Sequence, residues 1–165
     1  MKLKFVAAAA VLVLALAGAF LFAHRTAAPD VAFTTLGGQT FRTADLHGQV
    51  VLINFWATSC SSCIKEMPAL KRMQQAFQAR GYQTVAVAME YDPPARVAAF
   101  MVRGDLPFTF VLDHNGRIAR RFGDVRLTPT SFIVNRRGEI VRRIVGQPDF
   151  DKLHALIDKL LTEPT

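Results

Sequence analysis

The chain is poor in cysteine, with two among 165 residues, and has one tryptophan and two tyrosines. Two cysteines exclude a scaffold held by several disulfides. They also fall short of a closed zinc site, and His47, His114 and His154 stand too far apart in sequence to complete one. Acidic residues are scarce: 13 against 20 Lys and Arg, a net charge of +7. Setting aside Lys2, Lys4 and Arg25 leaves +4, too small an excess for a nucleic-acid footprint. Charged residues make up 20% and apolar residues 51%, so a real core can be buried and whole-chain disorder is excluded. No internal repeat is present.

Mean hydropathy is +0.22, and the excess is local. Residues 5–23 carry no charge and follow Lys2 and Lys4. As a helix this run spans ~28 Å, close to the hydrocarbon thickness of a bilayer. It also reads as a signal peptide, with Ala17-Gly18-Ala19 as a small-x-small cleavage candidate. An uncleaved anchor and a removed signal both export the rest of the chain, with the lysines held inside. The expected organisation is an anchor or signal over 1–25, a linker over 26–32 and one domain over 33–165.

Beyond the linker, Gly37-Gly38 separates two short apolar runs and predicts a hairpin. VVLINFW at 50–56 is continuously apolar and β-branched or aromatic but for one Asn, which predicts a central strand buried on both faces. A helix is expected over 61–80, with Met67, Leu70, Met73 and Phe77 on one stripe, Pro68 as a kink and Gly81 as the stop. TVAVAM at 84–89 predicts a second core strand. Asp92-Pro93 reads as an N-cap with Pro at the first helical position, opening a helix that ends at Gly104. Strands over 108–112, 131–134 and 140–145 follow, the last two around a turn at 135–138. Asp149 caps a final helix that turns Phe150, Leu153, Ile157 and Leu160 inward.

Cys60-Ser61-Ser62-Cys63 follows the first core strand and opens its helix. A helix N-terminus presents free N–H groups and about half a positive charge, which stabilises a thiolate at Cys60. Cys63, one turn on, is expected to be more buried and placed to attack a mixed disulfide formed by Cys60. A purely structural disulfide closes a four-residue ring worth only ~1.9 kcal/mol by loop entropy. A two-coordinate Cu(I) site is the competing use of the pair, as a binding module without turnover.

With these residues in place, the sequence resembles thioredoxin-fold proteins of the TlpA/ResA type, exported thiol–disulfide oxidoreductases. The likeness rests on DLHGQVVLINFWATSCSSC at 45–63, KEMP at 65–68, VAVAMEYDPP at 85–94 and DVRLTPTSFIVNRRGEIV at 124–141. It implies an α/β thioredoxin fold with an N-terminal β-hairpin extension and a central mixed sheet flanked by helices. It implies that Cys60 attacks and Cys63 resolves, with no cofactor or metal beyond their disulfide. It implies a cis-proline at Thr128-Pro129, with an unpaired backbone edge for a client, and contacts to the client from Trp56, Ser61, Ser62 and Thr128. Glu90, at the end of the second core strand, is expected beneath the cysteines as a proton carrier.

The sequence departs from relatives at several points. Asn54 stands where thioredoxin has a buried Asp, so it cannot carry the proton. Ser59 replaces a Trp often found before the first cysteine. Ser61-Ser62 supplies no His to favour the thiolate, which points to a reductant. Thr130 stands where the cytochrome c maturation branch tends to carry Glu. The expected partners are exported disulfide clients, in cytochrome c or copper-protein maturation, and a membrane thiol reductase as electron donor. The expected place is the bacterial periplasm or extracytoplasmic face, attached through residues 5–23.

Overall fold

The structure, a computed structural model, describes residues 26–164; the proposed anchor or signal lies outside the described residues. Its centre is β4 (Val50–Trp56), buried at all seven positions as the apolar run requires. β5 (Tyr82–Ala88) lies parallel to it and β7 (Thr130–Val134) antiparallel. β6 (Thr109–Leu112) extends the sheet beyond β5, and β8 (Glu139–Val145) and β1 (Thr26–Ala27) extend it beyond β7. The order is β1-β8-β7-β4-β5-β6, with β2 (Ala32–Thr34) and β3 (Thr40–Arg42) as a separate hairpin. The mixed sheet and the hairpin are those expected.

Side chains alternate across a strand, so β4 feeds two cores. Val50, Leu52 and Trp56 face α1 (Ser61–Phe77), α2 (Pro94–Gly104) and α4 (Phe150–Thr162), where Met67, Leu70, Val97, Leu153 and Ile157 meet them. Val51, Ile53 and Phe55 face Phe33 of the hairpin and Ile118 and Phe122 around α3 (Arg117–Arg121). Each such buried side chain contributes about 1.5–3 kcal/mol relative to exposure. Asn54 falls on the first face, a polar residue in an apolar stripe. α1 continues through Pro68 and ends in a 3-10 turn at Gln78–Arg80, stopped by Gly81 at φ 89°.

Two expectations need correction. The stretch 26–32 is no free linker: Thr26 and Ala27 pair with Ile140 and Glu139, and Val31 is buried against the second core. Backbone pairing at a sheet edge can recruit a segment that shows no apolar period. Asp92 does not cap α2, whose N-cap is Pro93 without a side-chain bond. The Asp92 carboxylate instead accepts from the Thr58 N–H and hydroxyl, both at 2.6 Å. A short helix, α3, also follows the turn at 113–116 without having been expected, because buried Asp113 accepts from the N–H groups of Ile118 and Ala119.

Candidate redox site

β4 ends at Trp56, the chain turns, and Cys60 becomes the N-cap of α1. Asp92 holds that turn through Thr58, so the loop before the cysteines is fixed from β5's side of the sheet. Cys60 and Cys63 are joined in a disulfide, with Cα atoms 5.2 Å apart. The sulfurs differ in setting. Cys63 is fully buried, while Cys60 is partly exposed. The Cys63 N–H donates to Cys60 Sγ at 3.2 Å, and the Ser62 hydroxyl lies 3.3 Å from the same sulfur. Both donors, with the helix N-terminus, favour negative charge on Cys60 once the disulfide opens.

Below the pair lies the carboxylate that the sequence reading overlooked. Glu66, one turn after Cys63 on α1, is 1% exposed. Asn54 Nδ2 donates to Glu66 Oε1 at 2.8 Å and to Ser131 Oγ at 3.0 Å. Glu66 Oε2 has no hydrogen-bond partner among the described residues. Burial pushes the Glu66 carboxyl up to about 7, and the Asn54 bond pulls it partly back. It therefore gains and loses a proton near neutral pH. The signal was present in the spacing: Cys63, Glu66, Met67 and Leu70 form an i, i+3, i+4, i+7 stripe, which puts Glu66 on the buried face.

Glu90 does not take that role. It is exposed in the turn after β5, and its carboxylate covers Gly116, where an added Cβ would come within 2.5 Å of Oε2. The residue after a core strand's end has left the sheet, so its side chain is no longer directed into the interior. Trp56 is also displaced from its expected part. It is fully buried, packed on Phe100 and Phe110 with ring centroids 5.1 and 5.7 Å away, and cannot touch a client.

The other expected residues gather at the surface beside the disulfide. Ser61 is exposed and Ser62 half-buried, its carbonyl accepting from Gln147 Nε2 at 3.0 Å. The Thr128–Pro129 peptide bond is cis. The Pro129 carbonyl accepts from Gly146 N–H at 2.8 Å, so it is not open to a client. The neighbouring backbone of Thr128, half-buried, has no such partner among the described residues. Leu127 and Val145 add exposed apolar side chains nearby in the chain and sheet. Among the described residues no cluster of three or more His, Cys, Asp or Glu could hold a metal ion.

A thiol pair at a helix N-terminus after a central strand, with a buried carboxylate one turn on, defines a thioredoxin-fold thiol–disulfide oxidoreductase. The chain belongs to the Redoxin family, which it matches over residues 23–157. Among curated relatives, the thiol-disulfide oxidoreductase ResA of Geobacillus thermodenitrificans is 32% identical over 119 residues, 72% of this chain and 67% of that protein. ResA of Bacillus anthracis is 29% identical over 133 residues, 81% of this chain and 76% of the other. Among solved structures, a Neisseria meningitidis protein assigned as a thioredoxin superposes with a TM-score of 0.76. It is 37% identical, covering 82% of this chain and 90% of that one. A Chlorobium tepidum protein assigned as the thiol:disulfide interchange protein DsbE also gives 0.76, at 32% identity, covering 83% and 96%. The likeness to the TlpA/ResA type stated from the motifs is thus shown.

Proposed function

We propose that this oxidoreductase acts outside the cytoplasm as a reductant of protein disulfides. The observation that carries the reading is Glu66, buried one turn from buried Cys63 and titrating near neutrality. A strong oxidant owes its potential to a stabilised thiolate in the reduced form. Here no His stands between the cysteines, and a carboxylate beneath them disfavours negative charge on Cys63. The reduced pair is thereby the better electron donor.

The reaction balances within the residues present. The Cys60 thiolate attacks a client disulfide, forming a mixed disulfide and releasing one client thiolate. The Cys63 thiol passes its proton to the Glu66 carboxylate and attacks Cys60 Sγ. The second client thiolate leaves, two electrons have passed to the client, and the Cys60–Cys63 disulfide remains. The exposed Ser61, the half-buried Ser62 and the free Thr128 backbone form the surface that meets the client. A membrane thiol reductase restores the dithiol by the reverse exchange.

The uncharged run at 5–23 after Lys2 and Lys4 supports an extracytoplasmic place, with the segment retained as an anchor. The clients are exported proteins with cysteine pairs, in cytochrome c or copper-protein maturation. Equilibration of the full-length chain with glutathione tests the direction. A reduction potential near or below thioredoxin's ~−270 mV supports a reductant, and one near DsbA's ~−120 mV overturns it.

A further inference from the structure

A groove of about 600 Å³ opens beside the cysteines, between the first turn of α1 and the outer face of α2. Thr58 and Ile64 form one wall, and Ile64 directly follows Cys63. Ala95, Ala99 and Phe100 form the other, with Arg96 and Arg103 at its two ends. Phe100 is only partly buried, and both arginines are exposed. Neither arginine side chain has an ion-pair or hydrogen-bond partner among the described residues, whereas Lys71 on α1 is paired with Asp105. The lining residues include no carboxylate, and Asp92, bonded to Thr58 of that wall, is buried and already accepts two bonds from it. The groove is therefore apolar along its length and positive at both ends.

We propose that this groove seats the client chain while Cys60 attacks it, and that it selects a segment with an apolar side chain between two acidic ones. The inference rests on the reductase reading and names its substrate class. The spacing follows from the helix. Arg96 and Arg103 are seven residues apart, about 10.5 Å along the axis at 1.5 Å per residue. A client chain in the polyproline II conformation covers about that distance in three residues at ~3.1 Å each, and with three residues per turn it directs i and i+3 to the same side. Carboxylates at positions i and i+3 of a client thus meet both guanidinium groups, and the two-residue stretch between them lies against Ala99 and Phe100. Arg pairs well with carboxylate because its planar fork matches the two oxygens.

The test uses the reduced full-length chain and two peptides. Each carries one cysteine in a mixed disulfide with 2-mercaptoethanol, beside either Glu-Leu-Ala-Glu or Lys-Leu-Ala-Lys. The readout is the ratio of the two second-order rates, so that any general change in reactivity cancels. The wild-type chain is expected to favour the acidic peptide by about tenfold at low salt, less at high salt. Arg96→Ala with Arg103→Ala is expected to bring the ratio near unity. Arg117→Ala with Arg121→Ala removes the same charge from α3, on the other side of the sheet, and is expected to leave the ratio near tenfold. Equal loss in both double variants would overturn the groove in favour of net charge alone, and an unchanged ratio in the first would overturn it outright. Wild-type reaction with neutral hydroxyethyl disulfide reports separately on the reductase reading: a chain inert there contradicts that reading rather than the groove.

Discussion

Asn54 donates to Glu66 across 2.8 Å of buried space, tying the central strand to the helix that carries both cysteines. The same Nδ2 reaches Ser131 on β7, two residues after Pro129. One amide thus joins the three elements around the disulfide. Its two ends differ usefully. In this orientation the NH2 group serves an ionised Glu66; turned over, the carbonyl would accept from a protonated Glu66 and from the Ser131 hydroxyl.

Asn54→Leu removes the donor that now holds the Glu66 carboxyl down, so Glu66 should keep its proton to higher pH. Asn54→Asp should act in the same direction, by setting a second carboxyl beside the first. In both variants the bend in the pH profile of dithiothreitol reduction is expected to move up, with a stability cost of about 1–3 kcal/mol for a broken buried bond. A bend that stays in place while stability falls would make Asn54 a packing residue.

Glu66 also ties stability to pH. Its carboxyl is raised in the folded state, from 4.5 to about 7, so the folded protein binds a proton more tightly than the unfolded chain. Stability is full below the unfolded value and falls as pH rises toward 7, by about 3 kcal/mol at 1.36 kcal/mol per unit. Above that the contribution is flat. Urea denaturation of the oxidised protein at pH 5 and pH 8 should show the loss, and Glu66→Gln should abolish most of it. Parallel pH dependence in the two proteins would contradict the buried, titrating carboxylate.

Much of this was legible in the sequence, for physical reasons that also mark where it stopped. VVLINFW could only be a two-sided core strand, and CSSC after it could only open a helix, so the disulfide's place followed. Glu66 is hard to read from the sequence because a charged residue in a helix is normally solvated, and only its position on the Cys63-Met67-Leu70 stripe marks it as buried. Glu90 was favoured by its place at a strand end, but the strand stops at Ala88 and the chain has already turned outward. Trp56 was assigned to the surface although it closes a run whose every member is buried. Asp92 has a capping residue's sequence context and a loop clamp's contacts, a choice made by Thr58, 34 residues earlier.

Asp92→Ala should show that clamp. Two short bonds to Thr58 vanish, and the N–H of Thr58 loses its partner in a half-buried turn. A loss of about 1–3 kcal/mol in urea denaturation is expected. Asp92→Asn should recover part of it, since the amide oxygen can still accept. Equal losses in both variants would show that the charge, not the bonding geometry, holds the turn.

Brief alkylation of the reduced protein near neutral pH should modify Cys60 well before Cys63, read by peptide mapping. Cys60 is the partly exposed sulfur with two donors at the helix N-terminus, while Cys63 is fully buried. Simultaneous labelling would mean that the reduced site opens enough to equalise the two thiols.

The division of labour between the cysteines is tested most directly by trapping. Reduced Cys63→Ser, offered a protein disulfide, should accumulate a mixed disulfide whose mass-mapped link runs through Cys60, because the resolving thiol is absent. Reduced Cys60→Ser should accumulate almost none, because the remaining thiol is buried. The opposite pattern, stable adducts through Cys63 and none through Cys60, would contradict the assignment of attack to Cys60 and resolution to Cys63.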